Sequence, residues 1–484
     1  MLINDIQIGK RDTRVDGVDE AKLKICLMNL GYFPESNIFP PIYKITTQDT
    51  GETSQKVASP INLFVTKSSQ SWRDFKMLKP ENYMRTVNLI VDNYEQIRSS
   101  FKETKKILSY SNPVVYKKQS ERPGRQISQW FDMHSDMLAT SSRHRLSYLV
   151  EVDIQNCYES LYTHGIEWAL GKRLGKKLDS SIRSGNKRRT HGLPVGPYVS
   201  DILAETVLCW VDRNIEKALN NTAYIGYRYK DNYYFLCRGV SEGEKILSVI
   251  AEELRNAHFS VNDTKTNVSL YTKYHLSMWQ TGHKLLIQSL QLKLKGSKLT
   301  NEKLQVLIDQ SLKISDAYSN KNNILEKTVA IIAAGKPQGR IDYEMLFYSI
   351  SGMLPLRTLS YPKVLSYLKR LALDHSLILK DIYNLFLRNE IENAYSRKDV
   401  FALMWLAYMV ADSDEEDLKT LATSKLALMR RRNKIIKDMV DYVNDPGKEI
   451  KLWEQNRSQI ILSRNEYLSA VELYDYLGIS FAES

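Results

Sequence analysis

Between Tyr148 and about Leu292, short apolar runs of period two alternate with stretches of helical period, the pattern of a domain mixing sheet and helix. Leu149-Val150-Glu151-Val152-Asp153-Ile154 reads as a buried strand with an aspartate near its end, and Tyr158 to Leu170 as the helix after it. Tyr224 to Cys237 reads as two aromatic strands around Lys230-Asp231-Asn232, where Asp and Asn suit the positive φ angles of a tight hairpin. Residues 1 to about 110 read as mixed, mostly helical structure with a proline-rich kink. Lys295-Gly296-Ser297-Lys298 is a small polar break, and the pattern beyond it is almost wholly helical. There, Val364, Leu365, Leu368, Leu371 and Ala372 share one helical face after Pro362, which suits a first turn. Ser396-Arg397-Lys398-Asp399 has the form of a helix start, for a helix through Met404, Trp405 and Tyr408. No repeat of fixed length emerges, and a solenoid of irregular helix pairs stays open.

The composition narrows the classes. A chain of 484 residues can build two or three domains. Its longest apolar run, Phe401 to Ala411, is far too short to span a bilayer, and no signal-peptide pattern opens the sequence, so the cytosol is expected. Four cysteines (Cys26, Cys157, Cys209, Cys237) form no Cys-x-x-Cys pair and the histidines show no ligand spacing, which argues against structural zinc and a disulfide framework. The net charge of +12 suits a polyanionic partner without establishing one.

Asp153 and Asp231 are the candidate chemistry. Each has a plain structural alternative: a strand-end carboxylate capping a helix, and a hairpin turn. What lies around them is more specific. Gly192-Leu193-Pro194-Val195-Gly196-Pro197-Tyr198-Val199-Ser200, then Ala204-Glu205, stands between the two acids, and His258-Phe259-Ser260-Val261-Asn262-Asp263-Thr264-Lys265-Thr266 follows the hairpin. In this order the segments resemble the A, B, C and D motifs of the reverse-transcriptase palm, over about residues 20 to 290. Gly31-Tyr32-Phe33-Pro34-Glu35 with Pro40-Pro41, Tyr162-Thr163-His164 and the Gly-Pro of motif B resemble the abortive-infection (Abi) reverse transcriptases of bacterial phage defence, AbiK-like members above all.

The resemblance implies an α+β fold: fingers and palm over residues 1–295, with a palm core at about 143–290, then an all-α, repeat-like domain over 296–484. It implies that Asp153 and Asp231 hold two Mg²⁺ ions flanking the attacking and leaving oxygens of an in-line displacement. Two bare carboxylates about 4 Å apart repel by roughly 4 kcal/mol at an effective dielectric near 20, so cation binding and site geometry are coupled. Magnesium suits oxygen ligands and substrate phosphates. Tyr158 would pack under the incoming sugar and collide with a ribose 2′-hydroxyl, selecting deoxynucleotides. Gly192, Pro194 and Gly196 would shape the turn at the nucleotide. Lys265 would donate a proton to the leaving pyrophosphate. Arg122 and Arg125 would contact the triphosphate.

Two positions depart from the wider family. Asn232 stands where most members have a second aspartate, and Val195 replaces the motif B glutamine of many templated enzymes. Glu151, two residues before Asp153 on the same strand face, either offsets the missing charge or pairs with a local base. Lys187-Arg188-Arg189 precedes motif B, and Arg430-Arg431-Arg432 with Lys434 lies in the helical part; such runs are phosphate contacts or solvated faces.

The family implies nucleotidyl transfer of terminal-transferase character: untemplated DNA synthesis primed from a protein hydroxyl, a covalently attached single-stranded DNA product, and a homo-oligomer in the bacterial cytoplasm. With 29 tyrosines, abundance does not identify the primer; Tyr32 and Tyr43 suit packing or stacking better. A templated, retron-like enzyme and a silent nucleic-acid-binding scaffold are the rival readings.

Overall fold

The computed structural model describes residues 20–28, 31–32, 40, 42–43, 53–68, 71–101, 104–111, 127–276, 279–292, 296–317, 324–354, 360–429, 433–448, 450 and 452–453. Arg122, Arg125, Phe33 to Glu35 and Arg430 to Arg432 lie outside them.

Strict alternation builds the central sheet. In Tyr148–Asp153, Val150 and Val152 enter the main core while Leu149 joins a smaller cluster with Met133, Met137 and Tyr227 on the opposite face. In Asn232–Cys237, Tyr233, Phe235 and Cys237 face the main core and Leu236 the smaller one. We number the strands β1 (Ile61–Ser68), β2 (Ser71–Met77), β3 (Ile107–Ser109), β4 (Tyr148–Asp153), β5 (Ile225–Tyr229), β6 (Asn232–Cys237) and β7 (Asn267–Leu270). The sheet order is β3-β5-β6-β4-β7, parallel only between β3 and β5. The Tyr198–Ala218 and Val240–Asn256 helices cover the main-core face. Buried on both sides, the sheet is a fixed platform.

The N-terminal part is mixed and mostly helical among the described residues, as expected, with helices at Glu20–Met28, Pro80–Val91 and Tyr94–Ser100. Its sheet part is β1 and β2, an antiparallel hairpin with an irregular register between Thr66 and Ser68. Leu63 and Val65 in β1 and Phe75 and Met77 in β2 are buried at every second position, which is the strand period. This hairpin reaches motif B, where the Lys76 amide donates to the Val195 carbonyl at 2.8 Å. The helix expected over Tyr158 to Leu170 is broken into Cys157–Ser160 and Gly165–Leu170. Between them the chain turns to bond the segment before motif B, the Thr163 amide donating to the Thr190 carbonyl at 2.9 Å.

Beyond Gly296 the described chain is helical apart from a two-residue parallel pairing of Lys298–Leu299 with Lys336–Pro337. The architecture is therefore α+β with a helical C-terminal array. Tyr361–His375 carries Pro362 in its first turn and buries all five expected apolar residues. The Val400–Val410 helix starts later than expected: Ser396 ends the preceding helix, and Asp399 is the cap, accepting from the Ala402 amide at 3.1 Å. These helices fold back on the N-terminal part. Thr66 Oγ1 donates to Asp399 at 3.0 Å, Tyr43 to Asp438 at 3.0 Å, and Trp453 Nε1 to the Tyr32 hydroxyl at 3.1 Å. Tyr32 and Tyr43 are thus buried packing residues.

Among the described residues no helix is long and apolar enough to cross a membrane. The four cysteines are free thiols, three of them buried.

Asp399 serves both a helix cap and the cross-chain bond to Thr66. Asp399→Ala should lower stability by about 1–2 kcal/mol, measured as a shift of the urea midpoint. An unchanged midpoint would contradict the role.

Candidate active site

Asp153 ends β4 directly across from Asn232, and the register fixes Asp231 one residue away at the hairpin tip. Backbone bonds bracket the position: the Ile154 amide donates to the Asp231 carbonyl at 3.0 Å, and the Asn262 amide to the Asp153 carbonyl at 2.8 Å. The loop is the two-residue turn Lys230-Asp231, and its positive φ falls on Lys230 (56°), contrary to the expectation that Asp or Asn would carry it. The Ser111 hydroxyl accepts from the Lys230 amide at 2.9 Å, and the Lys230 carbonyl accepts from Arg228 at 3.3 Å. These bonds hold a conformation that a lysine adopts reluctantly.

Beneath the turn lies a network the sequence reading missed. Arg228 is fully buried on the main-core face of β5. Its guanidinium donates to Glu205 (2.8 Å) and Asp212 (2.8 Å), and Tyr233 donates to Asp212 at 2.9 Å. Burial opposes the ionisation of Glu205, but the Arg228 charge and its hydrogen bonds hold the carboxyl below its usual range. Burial holds Asp212 above its usual range despite the same guanidinium. The signal was present: Glu205, Cys209 and Asp212 share one face of a helix, and Arg228 stands alone among aromatic strand residues.

At the site itself, Asp153 is buried and accepts from Asn262 Nδ2 at 2.9 Å and from Lys265 Nζ at 3.1 Å. Lys265 therefore lies on the acid and partly neutralises it. Asn232 turns its amide to Asp231, donating at 3.1 Å. Burial, reinforced by the Asp153 charge, raises the Asp231 carboxyl above its ordinary value. Glu151 accepts from Asn267 at 3.1 Å, so an amide, not a base, answers it there.

The Tyr158 hydroxyl donates to the Asp201 carboxylate, and burial, then Asp201, push it well above its usual pKa range. The ring is tethered, and its hydroxyl stays protonated. A small cleft with room for roughly one water is lined by Tyr158, Tyr198, Asp201, Lys230 and Asp231. Gly192 (φ +88°) and Gly196 (φ +120°) both adopt left-handed backbone in the motif B turn with Pro194. The close approach at Gly192 is to the chain itself: a Cβ would lie 2.9 Å from the Glu159 carbonyl.

Sequence spacing gave no histidine ligand set, yet the fold brings His164, Glu167 and Asp179 together. Arg183, 3.2 Å from Asp179, already supplies a cation there.

Two carboxylates, at a strand end and in the turn beside it, one with its proton affinity raised by burial and then by the other's charge, fit a divalent cation, and the oxygen donor set suits a hard one. The arrangement is suited to metal-dependent nucleotidyl transfer. Residues 67–308 match the reverse transcriptase (RNA-dependent DNA polymerase) family, and the chain belongs to that family. Its class is therefore a reverse-transcriptase-type polymerase, a nucleotidyltransferase of a family that uses divalent metal ions. Among solved structures it is similar to telomerase from Candida albicans in complex with a fragment of telomeric RNA, at 11% identity and a TM-score of 0.31, covering 84% of this chain and 69% of that one. No curated protein matches the sequence.

The raised Asp231 carboxyl has a thermodynamic consequence. A carboxyl whose folded pKa exceeds its unfolded value costs stability once pH rises above the unfolded value, about 1.4 kcal/mol per unit of elevation. Asp231→Asn should therefore melt a few degrees higher than the wild type in chelator near pH 7, with the gap closing below about pH 4. A variant that melts lower near neutrality would contradict this electrostatic account.

Proposed function

We propose that the chain is an Abi-type polymerase that adds deoxynucleotides without a template, begins on one of its own side chains and acts in phage defence. The observation that carries this reading is the pairing of the Asp153–Asp231 site with a motif B turn whose Val195 has no side-chain hydrogen-bonding group and whose carbonyl is already engaged by Lys76. A template base pair has one fewer polar partner there. The C-terminal helices are attached to β1 through Thr66 and Asp399, so the helical array and the hairpin that bonds the motif B turn are joined.

In this reading Asp153 and Asp231 would hold two Mg²⁺ ions, and the chemistry these would supply is charge neutralisation at the triphosphate and activation of the attacking hydroxyl. Tyr158, fixed by Asp201, blocks the space of a ribose 2′-hydroxyl. Lys265, whose ammonium donates to Asp153 at 3.1 Å, is placed to offer a proton to the leaving pyrophosphate. Gly192, Pro194 and Gly196 shape the floor of the nucleotide site, and Arg122 and Arg125 contact the triphosphate. Tyr32 and Tyr43 are unsuited to priming because their hydroxyls are buried and bonded. The working form is a homo-oligomer in the bacterial cytoplasm, and its product is single-stranded DNA covalently joined to the protein. Asn232 favours a second reading, a silent scaffold that binds nucleic acid without chemistry.

Incubating pure protein with labelled deoxynucleotides and Mg²⁺, without template or primer, separates these readings on a denaturing gel. The expected result is label that stays with the protein, shifts it upward, and disappears in Asp153→Ala and Asp231→Ala. Incorporation only after template and primer are added would mark a conventional reverse transcriptase, and none under either condition a scaffold.

A further inference from the structure

The Lys172–Gly185 helix buries Leu174, Leu178 and Ile182 and turns a separate face to solvent. Lys172, Arg173, Lys176 and Lys177 all lie on that face and are exposed. At 100° per residue they fall within one arc, two successive pairs a helical turn apart. None of the four has an ion-pair partner among the described residues, and the only acid in the helix, Asp179, is buried against Arg183 and His164. Like charges at this spacing repel, so the helix carries them at a cost in stability.

The charge continues past the helix end. Lys187 and Arg188 are exposed and occupy consecutive left-handed positions, with φ of 56° and 57°. Such geometry is strained for a non-glycine residue and collects where function requires it. It is held by the Lys187 amide on the Ala58 carbonyl (3.0 Å) and the Arg188 amide on the Arg183 carbonyl (2.8 Å). Arg189 follows, exposed, immediately before the motif B segment. Exposed basic residues thus stand at both ends of one helix, in its first two turns and in the turn that leads to motif B.

Rings border it. Tyr162 lies 5.0 Å from His164, 5.1 Å from His191 and 4.9 Å from His258, ring centre to ring centre, and Trp168 is 5.8 Å from Tyr162. His191 and His258 are exposed and Trp168 is partly so. Unpaired cations beside exposed rings are the combination that holds a single strand, with phosphates on the cations and bases on the rings.

We propose that the Lys172–Gly185 helix and the Lys187–Arg189 turn form a track for single-stranded nucleic acid leading from the polymerase site. The track extends the polymerase reading, but its binding is measurable without nucleotide incorporation, so the two can fail separately.

The test is fluorescence anisotropy with a labelled thymidine oligonucleotide of about 30 nucleotides, across a salt series, in chelator. Lys172→Glu, Arg173→Glu, Lys176→Glu and Lys177→Glu are combined in one protein. The control makes the same charge change at exposed Lys245, Lys313, Arg388 and Lys437. The track variant should bind at least about tenfold more weakly than the control variant near 0.1 M salt, with a log–log salt slope smaller by roughly 2 to 3. Equal loss in the two variants would overturn the proposal, and a loss confined to duplex DNA would overturn the single-strand assignment. Should the track variant fail to fold, acetylation of the wild type gives the answer: bound oligonucleotide should protect Lys172, Lys176 and Lys177, and unprotected lysines would refute the track.

Discussion

A single buried guanidinium fixes the geometry on which the site depends. Arg228 sits between Glu205 and Asp212 with no exposure to solvent, joining the motif B helix to the strand that leads into the Lys230-Asp231 turn. Two buried carboxylates share one guanidinium, so the arrangement contributes position more than stability. Buried ion pairs seldom gain much over apolar packing, yet removing one partner typically costs about 3–5 kcal/mol. The same guanidinium reaches the Lys230 carbonyl, and Ser111 takes the Lys230 amide. The hairpin tip is thereby anchored from below, and Asp231 is held beside Asp153 against their mutual repulsion.

Around that anchor the chain closes on itself. The β1–β2 hairpin bonds the motif B turn through Lys76 and Val195, and the helices beyond residue 296 bond β1 through Asp399 and Thr66. Parts far apart in sequence therefore converge on the β1–β2 hairpin. The basic face of the Lys172–Gly185 helix starts from this junction, since the Lys187 amide bonds Ala58 just ahead of the hairpin. Site, cover and charged surface share one mechanical frame.

Much of this was legible in the sequence where local pattern and tertiary environment agree. The period-two run into Asp153, the aromatic hairpin and the Pro362 helix all fold as their residue patterns indicate. The β1–β2 hairpin was not legible because its alternation is short and flanked by polar residues that suit either period. The Val400–Val410 helix starts at Asp399 and not at Ser396, because Ser396 still belongs to the preceding helix and Asp399 gains a second bond from Thr66. The positive φ at Lys230 defeats residue preference because tertiary bonds outweigh it. The partners that shape the site, Asn262 on Asp153 and Asp201 on Tyr158, lie 109 and 43 residues away in sequence, a separation that no local pattern encodes.

The central claim is that Asp153 and Asp231 act together as one divalent-cation site. Manganese replaces magnesium at oxygen ligands and is visible by electron paramagnetic resonance. Titrating Mn²⁺ into the protein with a non-hydrolysable deoxynucleotide should give bound ion in the wild type and its loss in both Asp153→Asn and Asp231→Asn. Binding undiminished in either variant would contradict the account.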